Sequence, residues 1–382
     1  MEPSCQPHRQ ISSRLDLKIP LIDLSIQHKV LKKELQKAVQ KVMDSQNFIL
    51  GDSVSAFEEQ AAKKVGSRYA VAVASGSDAL YLSLLALGIG RGDEVITTPF
   101  TFFATAGSIA RLGAKPVFVD IDPYTFNLDV NKIEAKMTKR TKAILPVHLF
   151  GLCCEMDVIQ RIAKKYSLSI VEDAAQALGS QYRGKPAGSM SDAGCFSFYP
   201  TKNLGGAGDG GMVTTSSKAL ADKIRLLRHH GSQKKYYHEI VGINSRLDEL
   251  QAAILLVKMK YLDRWNDQRR KHAAQYDKGF KGLPIQRPFS PPHYRHIYHL
   301  YSVVTEKRDA LAKHLEKKGI GTGVYYPSPL HLEACFKTLG HKRGDYPQAE
   351  RVAREILSLP VYPELSPTAQ AKVIAAAKSF FA

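Results

Sequence analysis

Two periods of hydrophobic and polar positions divide this chain. Residues 27–45 and 54–65 carry apolar side chains at helical spacing among many charges. Each predicts an amphipathic helix. Short apolar runs then follow one another: YAVAVAS (69–75), DEVITTPF (93–100), AKPVFVDI (114–121), KAILPVHLF (142–150), LSIVEDA (168–174), AGCFSFY (193–199) and GGMVTTS (210–216). Several lack polar alternation, as strands covered on both faces do. Between two of them, EMDVIQRIAKKY (155–166) puts Val158, Ile159, Ile162, Ala163 and Tyr166 on one helical face. Strands alternating with helices predict an α/β fold, with helices on both sides of a mostly parallel seven-stranded sheet.

A long helix is predicted near 247–274, where Leu247, Leu250, Ile254, Val257 and Tyr261 recur at steps of 3, 4, 3 and 4. The proline-rich PIQRPFSPPHYR (284–295) ends that region. Residues 296–382 read as two or three strands and three helices, a smaller α+β domain. The expected division is a polar N-terminal extension over 1–18, a large domain over 19–255 and a small C-terminal domain over 256–382. With 382 residues, 44% of them apolar, the chain can fill two such lobes.

Composition narrows the class. No run of about 18 apolar residues is present, so no membrane span is expected. The N-terminus has basic residues but no apolar segment of a secretory signal. Five cysteines with no C-x-x-C spacing argue against a disulfide framework or a metal site, and fit a reducing cytoplasm. Cys195 lies close to the lysine discussed below but reads as a buried core thiol. The net charge of +18 has two explanations, nucleic-acid binding or steering of a small anionic substrate. The basic residues are spread along the whole chain, which favours a diffusely positive surface over a nucleic-acid site.

Four segments carry candidate chemistry. In CFSFYPTKNLGGAGDGGMV (195–213), Lys202 stands between an aromatic strand and a loop with five glycines. That setting suits a lysine that must lose its charge and act as a nucleophile. In SIVEDAAQALGS (169–180), a strand ends in two acids at the edge where open α/β sheets bind ligands. Alternation puts Glu172 and Asp173 on opposite faces, so only one serves a site. Asp173 is then either a carboxylate in search of a cation or a helix N-cap. In AVASGSDALYLSLLALGIG (72–90), a strand turns at Ser75-Gly76-Ser77 into a helix. This is an anion seat with hydroxyls at Ser75 and Ser77, or an ordinary capped helix. It has no P-loop or dinucleotide signature, so one phosphate is expected. Asp78 reads as a first-turn carboxylate aimed elsewhere. Finally, TTPFTFFATAGSI (97–109) offers Phe100, Phe102 and Phe103, one of which could lie on a planar ligand. A phosphate seat, an acid needing a cation, an aromatic face and a lysine among glycines are together the requirements of pyridoxal phosphate.

The motifs SGSDAL, FTFFATA, EDAAQALGS, FSFYPTKNLGGAGDGG, GINSRLDELQAAIL and YYPSPLHL resemble those of the DegT-like sugar-nucleotide aminotransferases, a pyridoxal-phosphate family of fold type I. The resemblance runs from about Pro20 to the C-terminus. It implies Lys202 as the lysine bonded to the cofactor aldehyde and Asp173 as partner of the pyridine nitrogen. It implies Gln176 on the phenolic oxygen, Phe102 on the ring, and Gly76, Ser77 and Ser197 on the phosphate. Asn244 matches an asparagine that reaches the cofactor phosphate of a neighbouring subunit, which implies a homodimer with shared sites. Arg246, Tyr325, Tyr326 and His331 match substrate-side positions, with Tyr199 beside them.

Tyr199, and Gly208-Asp209-Gly210-Gly211 where many carbon-4 enzymes have Gly-Glu-Gly-Gly, look like the branch that aminates 3-keto sugars. The lysine is not replaced by the histidine of dehydratase relatives. The resemblance therefore implies transfer of an amino group from L-glutamate to a 3-keto UDP- or dTDP-sugar. Such a product would enter lipopolysaccharide, another surface glycan or a glycosylated natural product. The alternatives kept open are a 4-keto-sugar aminotransferase, another pyridoxal-phosphate enzyme, and a regulatory or nucleic-acid-binding protein. No metal, nucleic acid or membrane is expected as a partner.

Overall fold

The computed structural model describes residues 18–382. The extension expected over residues 1–18 falls almost wholly outside them. Two helices open the fold, α1 (Ser25–Ser45) and α2 (Asp52–Val65). Then come β1 (Tyr69–Val73), α3 (Gly76–Ala86), β2 (Glu94–Thr97), α4 (Ala104–Arg111), β3 (Lys115–Phe118), β4 (Thr141–Ile144), α5 (Met156–Tyr166) and β5 (Ser169–Asp173). The sheet is completed by β6 (Ala193–Ser197) and β7 (Gly211–Thr215).

Each of the seven expected strands is present, two to five residues shorter than the apolar run that announces it. In space their order is β1-β7-β6-β5-β4-β2-β3. Only β7 runs antiparallel to its two neighbours. The sheet is buried on both faces, which explains the missing alternation. Val71, Val95 and Val171 face the apolar residues of α3, α4 and a helix at Lys218–Arg228 (α6). Ala72, Ile96 and Ile170 face α2, α5 and a helix at Glu249–Met259 (α7).

The long helix expected near 247–274 is two helices, α7 and α8 (Leu262–Gly279). The Tyr261 N–H donates to the Lys258 carbonyl, an i−3 bond that tightens the last turn of α7 and ends it. The apolar seam has two destinations. Leu247 joins the sheet-facing core. Ile254 and Val257 pack with Trp265 against Leu31 and Leu35 of α1.

Beyond α8 come β8 (Tyr301–Val304), α9 (Arg308–Lys317), α10 (Pro347–Glu355), β9 (Ile356–Leu359) and α11 (Pro367–Phe381). Strands β8 and β9 pair antiparallel over a core that includes Tyr276, Leu311, Leu357 and Val373. One of these helices packs against the seven-stranded sheet's core. Val352 and Ala353 of α10 pack into the core that holds Phe118. Asp120 caps the same helix, accepting from the Gln348 and Ala349 N–H groups at 3.0 and 2.9 Å.

Candidate active site

The register gathers the chemistry at the carboxyl edge of the sheet. Ser197 at the end of β6 pairs with Gly211 of β7, and Gly211 pairs with Val73 of β1. The β1–α3 turn therefore sits directly against Ser197. A Cβ at Gly76 would lie 2.7 Å from the Ser197 Cβ, and one at Gly211 would lie 2.2 Å from the Ser75 carbonyl oxygen. Only glycine allows either approach. Ser75 is the N-cap of α3, its hydroxyl accepting from the Asp78 N–H at 3.1 Å. That hydroxyl is thus occupied, while Ser77 is exposed. Among the described residues the Gly76 and Ser77 N–H groups have no acceptor and stand at the positive end of an 11-residue helix.

Asp78 turns away from this seat, as expected. Its carboxylate accepts from the Ser245 hydroxyl at 2.8 Å, and Arg111 lies at 3.5 Å. Ser245 also accepts from the Ala74 N–H at 3.1 Å. The loop of Asn244 and Arg246 is thereby tied to the α3 turn. Asn244 is exposed. Arg246 Nη1 donates to His229 Nδ1 at 3.1 Å, while its Nε is buried without a partner among the described residues.

The two acids at the end of β5 part company as the alternation demands. Glu172 is fully buried on the α5 side and accepts from the His148 ring, the Gly188 and Met190 N–H groups and the Ser191 hydroxyl at 2.7–2.9 Å. It is a satisfied structural carboxylate. Asp173 faces α4, is 6% exposed, and accepts from the Thr105 hydroxyl at 2.7 Å and the Ala175 N–H at 3.2 Å. Burial raises its pKa, and these two donors, with Lys202 and His148, hold it back. Its bond to Ala175 is the short local turn that the capping alternative would give. Its depth and the Thr105 donor set it apart from an exposed cap.

Lys202 follows β6 and is half-buried. Burial pushes its amine down to about 8, while the Asp173 carboxylate acts in the opposite direction. Gly205 lets the loop fold back, since a Cβ there would meet the Pro200 carbonyl oxygen at 2.2 Å. Gln176 accepts from the Phe150 N–H at 2.8 Å and donates to the Tyr326 hydroxyl at 3.0 Å. Burial also pushes the Tyr326 phenol up.

The three phenylalanines have three fates. Phe100 is fully buried. Phe103 packs on Phe336. Phe102 is 56% exposed, its ring 6.1 Å from that of Tyr326. Tyr199 is exposed and Tyr325 half-buried. Cys195 is a core thiol beside the Ser83 hydroxyl.

His331 lies apart from the others. Its side chain is fully buried, with Nε2 3.2 Å from Glu350 and its ring against Tyr346. The structure does not present it to a ligand. Sequence reading also missed residues that shape the site. Thr105 follows Phe102 by three positions, one helical turn on, and that spacing was its only signal. Asn203 adjoins Lys202 directly. Nothing local points to His299, 97 positions further along.

The donor set fits a phosphate-bearing pyridine aldehyde. A cradle that any Cβ at Gly76 would fill offers free N–H groups. A buried acid and a lysine of lowered basicity act on each other nearby.

Comparison with known proteins agrees with this chemistry. The model of the DegT/DnrJ/EryC1/StrS aminotransferase family matches residues 29–378. The pleiotropic regulatory protein of Geobacillus stearothermophilus is 50% identical over 368 residues, 96% of this chain and 99% of its own. The UDP-N-acetyl-3-dehydro-α-D-glucosamine 3-aminotransferase of Acidithiobacillus ferrooxidans is 45% identical over 348 residues, 91% of this chain and 94% of its own. The structure of Streptomyces venezuelae DesV, in complex with a ketimine intermediate, matches with a TM-score of 0.93 at 43% identity, covering 95% of this chain and 98% of that one.

Proposed function

The chain belongs to the DegT/DnrJ/EryC1/StrS aminotransferase family, and from that premise we propose that it transfers an amino group from L-glutamate to the 3-keto position of a UDP- or dTDP-linked sugar. It is a pyridoxal-phosphate enzyme of fold type I. The observation that carries the 3-keto reading is the 45% identity to a UDP-sugar 3-aminotransferase over 91% of the chain.

When bound, the cofactor supplies an aldehyde and a ring that takes up the electron pair released at the donor's α-carbon. The residues divide the remaining work. Lys202 would bind the aldehyde and, with its amine free, would take the proton from the donor's α-carbon as general base and deliver it, as general acid, to the carbon that bore the aldehyde. A lysine near pKa 8 can do both close to neutral pH. Asp173 would keep the pyridine nitrogen protonated. Burial raises the pKa of this acid, so a cationic partner would hold it ionised. Gly76, Ser77 and Ser197 would hold the phosphate, Gln176 the phenolic oxygen, and Phe102 the ring. Arg246, Tyr199, Tyr325 and Tyr326 face the sugar nucleotide.

The reading includes a homodimer in which Asn244 of a second copy completes the phosphate site. The segment before Asn244 exposes Tyr236, Tyr237 and Val241 at 81, 65 and 93%. Exposed apolar side chains in one strip mark an interaction surface. The reading also includes a large domain over 19–255 and a small one over 256–382, with a cytoplasmic enzyme supplying a surface glycan or lipopolysaccharide. Cys153, Cys154, Cys195 and Cys335 are free thiols, which suits a reducing compartment. No described helix is long and apolar enough to cross a membrane.

The test is a panel of 3-keto and 4-keto UDP- and dTDP-sugars with L-glutamate, read by the mass change of ketone to amine. Product from 3-keto substrates supports the reading. Product from 4-keto substrates alone overturns the position assigned. No product from any, with duplex DNA bound instead, would favour the regulatory role named for the Geobacillus relative. A monomer on size-exclusion chromatography, still active, would remove Asn244 from the site.

A further inference from the structure

The segment that carries Asn244 and Arg246 is laddered onto the residues that end α6. The Ile243 and Ser245 N–H groups donate to the Leu227 and Arg228 carbonyls at 2.8 and 2.9 Å, and the His230 N–H donates to the Ile243 carbonyl at 3.0 Å. Ser245 joins the same segment to the start of α3 through Ala74 and Asp78. The backbone around Arg246 is therefore fixed beside the α3 turn by bonds that use no part of the arginine side chain.

The guanidinium itself is held by a contact of another kind. Arg246 Nη1 lies 3.1 Å from His229 Nδ1, and both residues are half-buried. A guanidinium only donates, so Nδ1 must offer its lone pair and the ring proton sits on Nε2. The imidazole in this bond is neutral. Among the described residues Arg246 forms no ion pair, and its buried Nε has no acceptor. A carboxylate in place of His229 would orient the guanidinium but offset its charge. A neutral imidazole orients it and leaves both the charge and a free donor for an incoming anion.

We propose that His229 is a positioning residue for the substrate, a neutral acceptor that aims the Arg246 guanidinium at the diphosphate of the sugar nucleotide and releases it when the ring gains a proton. The inference rests on Arg246 facing the sugar nucleotide. The titratable and charged groups facing His229 are Arg246, Arg228, His230 and His238, none of them an acid. Burial first, then Arg246 and these other neighbours, hold the imidazole below its ordinary range. The bond is thus intact at neutral pH. Protonation sets two cations against each other and breaks it.

The experiment uses the full chain loaded with pyridoxal phosphate. Calorimetry measures the dissociation constants of UDP-N-acetylglucosamine and dTDP-glucose from about pH 8 down to about pH 5, the span in which an imidazole titrates. The diphosphate diester of both probes keeps its charge throughout. Binding to the wild type weakens once the pH falls below the ordinary imidazole range. His229→Leu removes the acceptor, so binding at the upper end weakens about five- to tenfold and the further fall towards low pH is lost. His229→Asn supplies an amide oxygen that does not titrate, so it binds like the wild type at the upper end and keeps that affinity at the lower. Unchanged affinity of His229→Leu at the upper end overturns the proposal, as does a fall towards low pH that persists in His229→Asn. Arg246→Leu separates the two readings. If it binds as the wild type does, or if neither probe binds the wild type, the placement of Arg246 on the sugar nucleotide ends. If it binds weakly while both His229 variants follow the wild type, only the role of His229 ends.

Discussion

Holding Lys202 half-buried opposite Asp173 has a consequence that can be measured before any substrate is known. At pH 7 an amine with pKa about 8 is neutral in about one molecule in eleven, whereas a lysine near 10.5 is neutral in about one in three thousand. Only the neutral amine attacks an aldehyde, so the fold supplies a roughly 300-fold gain in nucleophile at that pH. The assay mixes cofactor-free chain with pyridoxal phosphate and follows the absorbance of the lysine adduct from pH 6 to 10. The rate should climb with a midpoint near 8. Asp173→Asn removes the charge that raises the lysine pKa, so the midpoint moves lower still and the rate at pH 7 increases. The same variant retains cofactor less well, because the pyridine nitrogen loses its counterion. Faster capture with weaker retention is the signature. A wild-type midpoint near 10, or an Asp173→Asn midpoint above that of the wild type, would refute the reasoning. Linkage adds a second sign. The unfolded lysine binds its proton more tightly than the folded one, so stability of the empty chain rises between about pH 8 and 10.5. Lys202→Met should flatten that part of the profile.

Gly76→Ala puts a Cβ 2.7 Å from that of Ser197. Equilibrium dialysis should show pyridoxal phosphate held at least about tenfold more weakly, with a stability loss of about 1–3 kcal/mol in urea unfolding. Thr105→Val deletes the 2.7 Å donor to Asp173 and leaves burial unopposed at that oxygen. The acid limb of cofactor retention should move to higher pH, and an unmoved limb would count against the Asp173 assignment. Glu249→Ala leaves the Ser53 and Val54 N–H groups, both 2.9 Å from its carboxylate, without an acceptor at the start of α2. Urea unfolding should show a loss of about 1–2 kcal/mol with activity per folded molecule retained.

Much of this protein was legible without coordinates because its signals are local. Seven apolar runs gave seven strands, since a strand buried on both faces needs nothing but apolar residues in a row. Strand alternation separated Asp173 from Glu172, since the pleat turns neighbours to opposite faces. Lys202 was visible through the glycines around it, which mark close backbone approach. The structure alone decided contacts between residues far apart in the chain. The seam from Leu247 to Tyr261 looked like one helix, yet it divides between the sheet and α1. His331 matched a substrate-side motif, yet Glu350 and Tyr346 bury it. Thr105 reaches Asp173 across 68 positions and His299 reaches Asn203 across 96. A sequence states which residues are near-neighbours along the backbone. The distances that set a pKa or a proton's position are created only when α4, the sheet and the smaller lobe pack together and exclude water between them.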